Sequence, residues 1–137
     1  RRIPMPIPDH IDILGHFAQG GQMRLTVSTV IGLSPTEVDL FIFGTKGTLR
    51  ILQTKDTEIE LFAGDKNATQ LKRIMIEPEK KGKWRVEEEF VNAIRGTEEI
   101  THTDFTTAAK YMEWTDAVTI SMQTRELVPL PLSNGMR

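Results

Sequence analysis

The sequence predicts an α+β fold: a mostly antiparallel, open-faced sheet of about six strands, followed by two helices packed on one face. Three observations carry this. Apolar residues alternate with polar ones through the first half of the chain, short turns of Gly, Asp and Asn separate the runs, and the last third changes to helical spacing.

The opening "RRIPMPIP" places three prolines in five positions and suits an extended linker over residues 1–8. With no initiator methionine, the chain is expected to be a piece of a longer one, its single α+β domain spanning 9–137. Over 9–18 the apolar residues Ile11, Ile13 and Phe17 fall at odd positions, and over 22–31 so do Met23, Leu25, Val27 and Ile31. "AQGG" between them marks a β-hairpin with one polar face. Val38 to Phe43 is apolar on both faces and is expected to be a central strand. Segments 49–52, 59–62 and 71–76 supply three more strands, and connections this short demand antiparallel pairing.

Helical spacing begins in "WRVEEEFVNAIRG". Val86, Phe90 and Ile94 recur one turn apart, Glu87 to Glu89 complement the positive end of the dipole, and Gly96 stands at a C-cap position. The stretch "TDFTTAAKYMEWTDAVTISMQTRE" predicts a helix of about 22 residues, capped by Thr103 or Asp104, with Phe105, Ala108, Ala109, Met112 and Ala117 along one side. "LVPLP" ends the domain as an extended segment whose prolines confine it to an edge. Two helices cover one side of such a sheet. The other side is left apolar and open, and a second copy, a further domain or a small ligand is expected there.

Composition narrows the function. The chain has 137 residues with a net charge of −2, so no basic field favours nucleic acid, and "EKKGK" reads as a solvated loop. Zero cysteines exclude disulfides and thiolate metal sites, and no apolar run reaches the roughly 20 residues of a membrane span. A cytoplasmic location is the expectation.

Motifs for chemistry are sparse. "FIFGTKGTLRI" resembles a phosphate loop in its glycines and lysine, but a helix must come after such a loop, and here the next residues read as a strand. Gly44 to Gly47 is therefore expected to be a hairpin turn, and G-x-G-x-x-G occurs nowhere. His10, Asp12 and His16 share parity on the first strand, like a two-histidine, one-carboxylate metal set. At ~3.3 Å per residue, however, His16 lies roughly 13 Å from Asp12 and 20 Å from His10, whereas ligands approach one ion to about 2 Å. No metal site is assigned. These residues with Arg24 stand as candidates for a substrate cleft or open face. Ser28 and Ser34 have no evident base, Glu87 to Glu89 read as solvated carboxylates, and His102 reads as a surface residue. Trp84, Tyr111 and Trp114 have helical spacing better suited to packing than to a stacking platform.

The last third, "EFVNAIRGTEEITHTDFTTAAKYMEWTDAVTISMQTRELVPLP", resembles the end of the C-terminal domain of Gfo/Idh/MocA-family NAD(P)-dependent oxidoreductases. The matching residues are Phe90, Ala93, Ile94, Gly96, Ala108, Met112 with Glu113, Ala117, Ser121, Val128, Leu130 and Pro131. "FIFGTKGTLRI" also resembles that family's strand, Gly-Thr-x-Gly turn and strand. Two positions depart from the pattern: Thr107, where an acidic residue is common, and Arg125, where a glycine usually succeeds the helix. The resemblance implies a parent whose N-terminal Rossmann domain holds NAD or NADP and whose catalytic lysine and Asp/His set lie outside this chain. It assigns no catalytic or cofactor-binding residue here. The chain's implied role is to wall one side of a sugar or polyol cleft and to support a homo-oligomer through the open sheet face. The alternative is a free-standing ligand-binding or protein-interaction module using that same face.

Overall fold

The computed structural model describes residues 8–55, 57–101 and 104–133. Residues 1–7 of the linker-like opening, His102 and Thr103 lie outside the described residues. The chain divides into two compact units, Arg1–Gly82 and Lys83–Arg137.

Among the described residues the regular structure of the first unit is β, apart from a 3₁₀ turn at Pro78–Lys80. Strands β1 (His10–His16) and β2 (Gln22–Ser28) pair antiparallel as a hairpin. Strands β3 (Thr36–Gly44), β4 (Gly47–Thr54), β5 (Glu60–Asp65) and β6 (Lys72–Ile74) form an antiparallel meander in sequence order. The class, the strand number and the antiparallel pairing agree with the sequence reading, and the six strands are divided between two sheets. The reason lies in residues 29–35. Ser28 Oγ accepts from the Val30 amide at 3.3 Å, and Thr29 N–H donates to Asp9 O at 2.8 Å, which ends β2 at Ser28 instead of Ile31. Gly32 and Pro35 then keep the connection out of a ladder.

Strand β3 is a correction. Its apolar pattern predicts a central position, yet it lies at an edge, paired only with β4 among the described residues. A strand apolar on both faces reads as doubly covered, but here Phe41 and Phe43 are 42% and 77% exposed. The register sorts the meander into two faces. Leu40, Ile51, Leu61 and Ile74 form one cross-strand row, and Ile42, Leu49, Ala63 and Lys72 form the next on the same face. The opposite face carries Phe41, Arg50, Phe62 and Arg73 in one row. There Arg50 pairs with Asp39 at 2.8 Å and lies 4.9 Å over the Phe41 ring, while Phe41 and Phe43 stack with centroids 5.6 Å apart.

The Gly44 to Gly47 segment is a two-residue hairpin turn, as the sequence predicts: Gly44 pairs with Gly47, and β4 begins directly. Gly47 is required by close approach. A Cβ there would lie 2.3 Å from the Gly64 carbonyl oxygen of the neighbouring strand.

The second unit holds α1 (Val86–Ile94) and α2 (Phe105–Thr124). Gly96 closes α1 in the left-handed region with φ 69°, donating to Ala93 O, while Thr97 N–H donates to Asn92 O. Asp104 caps α2, its carboxylate accepting from the Thr107 amide at 2.6 Å. Arg125 ends α2 with φ 61°, in the left-handed region that glycine enters most readily, and its N–H donates to Ser121 O at 2.8 Å. The returning segment is tied to α2 by Leu132 N–H, which donates to Glu113 Oε1 at 3.0 Å. Leu132 and Ala117 are the buried apolar residues among those described.

The predicted helix faces shift. Phe105, Met112 and Ile94 are 84%, 61% and 72% exposed, whereas Glu89, predicted to be solvated, is 1% exposed. Its carboxylate accepts from Thr101 N at 3.1 Å and from Thr101 Oγ1 at 3.0 Å, tying α1 to the loop that leads to α2. Glu87 and Glu88 are exposed as predicted, and Arg85 binds Glu88 through Nε at 3.0 Å and Glu98 through Nη2. The two acidic partners hold the Arg85 guanidinium well above its usual range.

Candidate functional site

The hairpin gathers every residue singled out from the sequence as a cleft candidate. Along β1 the half-buried positions are Ile11, Ile13 and Gly15, and the exposed ones are His10, Asp12, Leu14 and His16. Directly opposed residues of an antiparallel pair share a face. His10 opposes Ser28, Asp12 opposes Thr26, Leu14 opposes Arg24 and His16 opposes Gln22. His10, Asp12, His16 and Arg24 therefore stand on one polar face, the outcome that strict alternation requires.

Within that face one set is in contact. Thr26 Oγ1 donates to Asp12 Oδ1, and His10 Nε2 lies 3.6 Å from Asp12 Oδ2. At that distance His10 lies just beyond hydrogen-bond reach of Asp12. The Thr26 bond chiefly holds the Asp12 carboxyl below its ordinary value against a smaller opposing effect of desolvation, with His10 and then Arg24 adding to the depression. Asp12 is accordingly an acceptor near neutral pH and a poor proton carrier. His16 is set apart from this set by Leu14, which is 79% exposed. Among the described residues no three His, Cys, Asp or Glu side chains come together as a metal set. The face offers a fixed carboxylate flanked by donors, an arrangement suited to holding hydroxyls and other neutral polar groups.

The remaining candidates are locally committed. Ser34 Oγ donates to Thr36 O at 2.9 Å, and Ser28 Oγ accepts from Val30 N, so each serves a turn. Trp84 precedes α1 and is 80% exposed, and Tyr111 is 57% exposed, so neither shares a stacking platform with half-buried Trp114. A cavity of about 380 Å³ in the second unit is lined by Val86, Phe90, Val91, Ile100 and Phe105, with Glu89 in its wall. That carboxylate is committed to Thr101.

Sequence reading misses a second concave region, a groove of about 990 Å³ at the turn end of the meander, floored by Ile42, Leu49 and Ala63. Its signal is distributed. Lys46, Asn67, Gln70 and Lys72 belong to two different hairpins, and only the register brings them together. No helix among the described residues is long and apolar enough to cross a membrane.

Comparison of the chain with protein-family models, with curated proteins and with solved structures gives no match.

Proposed function

We propose that this chain is the substrate-side and subunit-association part of an NAD(P)-dependent sugar- or polyol-type oxidoreductase, inactive by itself. The nucleotide is held by a Rossmann domain outside these residues. The observation that carries the reading is the open meander: Val38, Leu40, Ile42, Leu49 and Ile74 share one face and are each 40% to 48% exposed. A lone soluble domain rarely leaves so many aliphatic side chains contiguous and wet. The polar hairpin face complements this by supplying an ionised acceptor, Asp12, with Thr26, His10 and Arg24 around it. Such a wall orients a polyhydroxy substrate and leaves the hydride chemistry to the nucleotide.

Two measurements test the reading. Sedimentation equilibrium is expected to show reversible self-association that Leu40→Lys weakens, and calorimetry is expected to show no NAD(H) binding. Micromolar NAD(H) binding by this chain, or a monomer at every concentration, overturns it. The hairpin face also favours a second reading, a free-standing module that binds a polar ligand. A parent reading frame with no dinucleotide fingerprint in the roughly 120 to 200 residues upstream, a typical domain length, decides for that alternative.

A further inference from the structure

The groove at the turn end of the meander has a different chemistry from the hairpin face. Its floor is the row Ile42, Leu49 and Ala63, which ends on Lys72 across all four strands. Ala63 lowers the middle of that row because it carries one methyl between longer neighbours. The rim is held by backbone. Lys66 N–H donates to Lys46 O at 3.0 Å, Ala68 N–H donates to Asp65 O at 3.0 Å, and Asn67 N–H donates to Asp65 Oδ1 at 2.8 Å. Gly47 and Gly64 let the two connections approach, since a Cβ on Gly64 would lie 3.1 Å from Ala68 Cβ.

On this fixed rim four polar side chains are uncommitted. Among the described residues Lys46 and Lys72 make no ion pair, and the Asn67 and Gln70 amides make no side-chain hydrogen bond. Elsewhere in this unit Arg50, Arg73, Lys80 and Lys81 are paired with carboxylates, while Arg24, Lys55 and Lys66 make no ion pair among the described residues; Lys46 and Lys72 differ from these three in lining a groove. The one carboxylate in the lining, Asp65, already accepts from Asn67 N–H. Two unpaired ammonium groups and two free amides over an apolar floor select an anion with an organic body.

We infer that this groove binds a small organic oxyanion, a phosphate ester or a carboxylate, with Lys46 and Lys72 on the anionic end and Ile42, Leu49 and Ala63 under the body. The site is separate from the hairpin face, and its ligand need not be the substrate of the proposed oxidoreductase.

The test is a ¹H–¹⁵N titration of the full chain with inorganic phosphate, glucose 6-phosphate, gluconate and glucose, in the native sequence and in the uncharged Leu40→Gln. The expected result is saturable shifts confined to the 44–48 and 65–72 amides, with glucose silent. Response to glucose 6-phosphate or to gluconate tells a phosphate ester from a carboxylate. Lys46→Gln and Lys72→Gln are each expected to weaken binding about tenfold, the loss of one charge-assisted hydrogen bond, while Lys80→Gln is without effect. The Leu40→Gln background, which adds no charge, separates an empty groove from one occluded by a second copy, so this inference and the association reading fail independently. No saturation in either background, an equal response to glucose, or unchanged binding in both groove variants overturns the inference.

Discussion

Glu89 offers the sharpest test of how the second unit is held together. Its carboxylate is 1% exposed and accepts two hydrogen bonds from Thr101, one from the amide and one from the hydroxyl. Hydrogen bonds to a charged group contribute about 1.5 to 3 kcal/mol each, but removing the carboxylate also removes a desolvation cost of several kcal/mol. Glu89→Ala alone therefore mixes opposing effects, with a net loss on the order of 2 to 4 kcal/mol because the Thr101 amide and hydroxyl both lose this acceptor. The hydroxyl bond is isolated by a cycle of Glu89→Ala, Thr101→Ala and the double variant. Its coupling energy is expected at about 1.5 to 3 kcal/mol. Urea denaturation monitored by intrinsic fluorescence measures it, because both tryptophans, Trp84 and Trp114, belong to Lys83–Arg137 and report on this unit. A coupling energy under about 0.5 kcal/mol, the level at which distant sites add, would refute the clamp.

Backbone geometry and capping set three further outcomes. Arg125 occupies the left-handed region at φ 61°, so Arg125→Gly is expected to stabilise the chain by about 0.5 to 1 kcal/mol after the extra entropy of an unfolded glycine, read as a higher urea midpoint. Gly47→Ala sets a methyl 2.3 Å from the Gly64 carbonyl oxygen and is expected to cost about 2 to 4 kcal/mol, whereas Gly44→Ala, with its nearest contact at 3.5 Å, is tolerated; equal thermal melts for the two would contradict this. The Thr107 amide holds the Asp104 carboxyl below its ordinary value of 3.8. That cap contributes fully above this value and is lost as pH falls through the depressed folded value. Helicity by circular dichroism should thus drop more on acidification than in Asp104→Asn, which keeps a neutral cap.

The alternating strands are legible in the sequence because their physics is local. Period-two patterning locates β1 and β2, and the same parity puts His10, Asp12, His16 and Arg24 on one face. The Gly44 to Gly47 turn is legible because the residues after Gly47 are strand-forming, and Gly96 because a helix end needs a left-handed residue. Position within a sheet is not local. Val38 to Phe43 has the apolarity of a central strand and sits at an edge, because burial on two faces and exposure on two faces leave the same pattern. The burial of Glu89 is hidden for a related reason. Three successive glutamates all suit a helix start, and only the path of the loop after α1 decides which one Thr101 reaches. The turn-end groove is hidden because its lysines are separated in sequence and joined by register alone.

The energetics of the open face favour a second copy over a smaller occupant. Full burial of an aliphatic side chain contributes about 1.5 to 3 kcal/mol, so covering Val38, Leu40, Ile42, Leu49 and Ile74, each 40% to 48% exposed, contributes on the order of 5 kcal/mol per chain. Association costs about 4 to 15 kcal/mol in lost translational and rotational freedom. A ligand or loop that gains only one such contribution falls near or below the cost. An isologous pairing buries the same patch twice, bringing the gain to roughly 10 kcal/mol against a single entropic cost. The opposite face supports this choice by contrast. Its phenylalanines are interleaved with the Asp39–Arg50 and Glu60–Arg73 pairs, whose desolvation would offset part of any gain from burial. A Leu40→Lys substitution places an unpaired charge in the aliphatic row, and in the proposed two-fold pairing that charge would be counted once from each copy. Its expected signature is a loss of association far larger than that of Phe43→Lys on the charged face. Equal effects of the two substitutions in sedimentation would show that the aliphatic face is not where the copies meet.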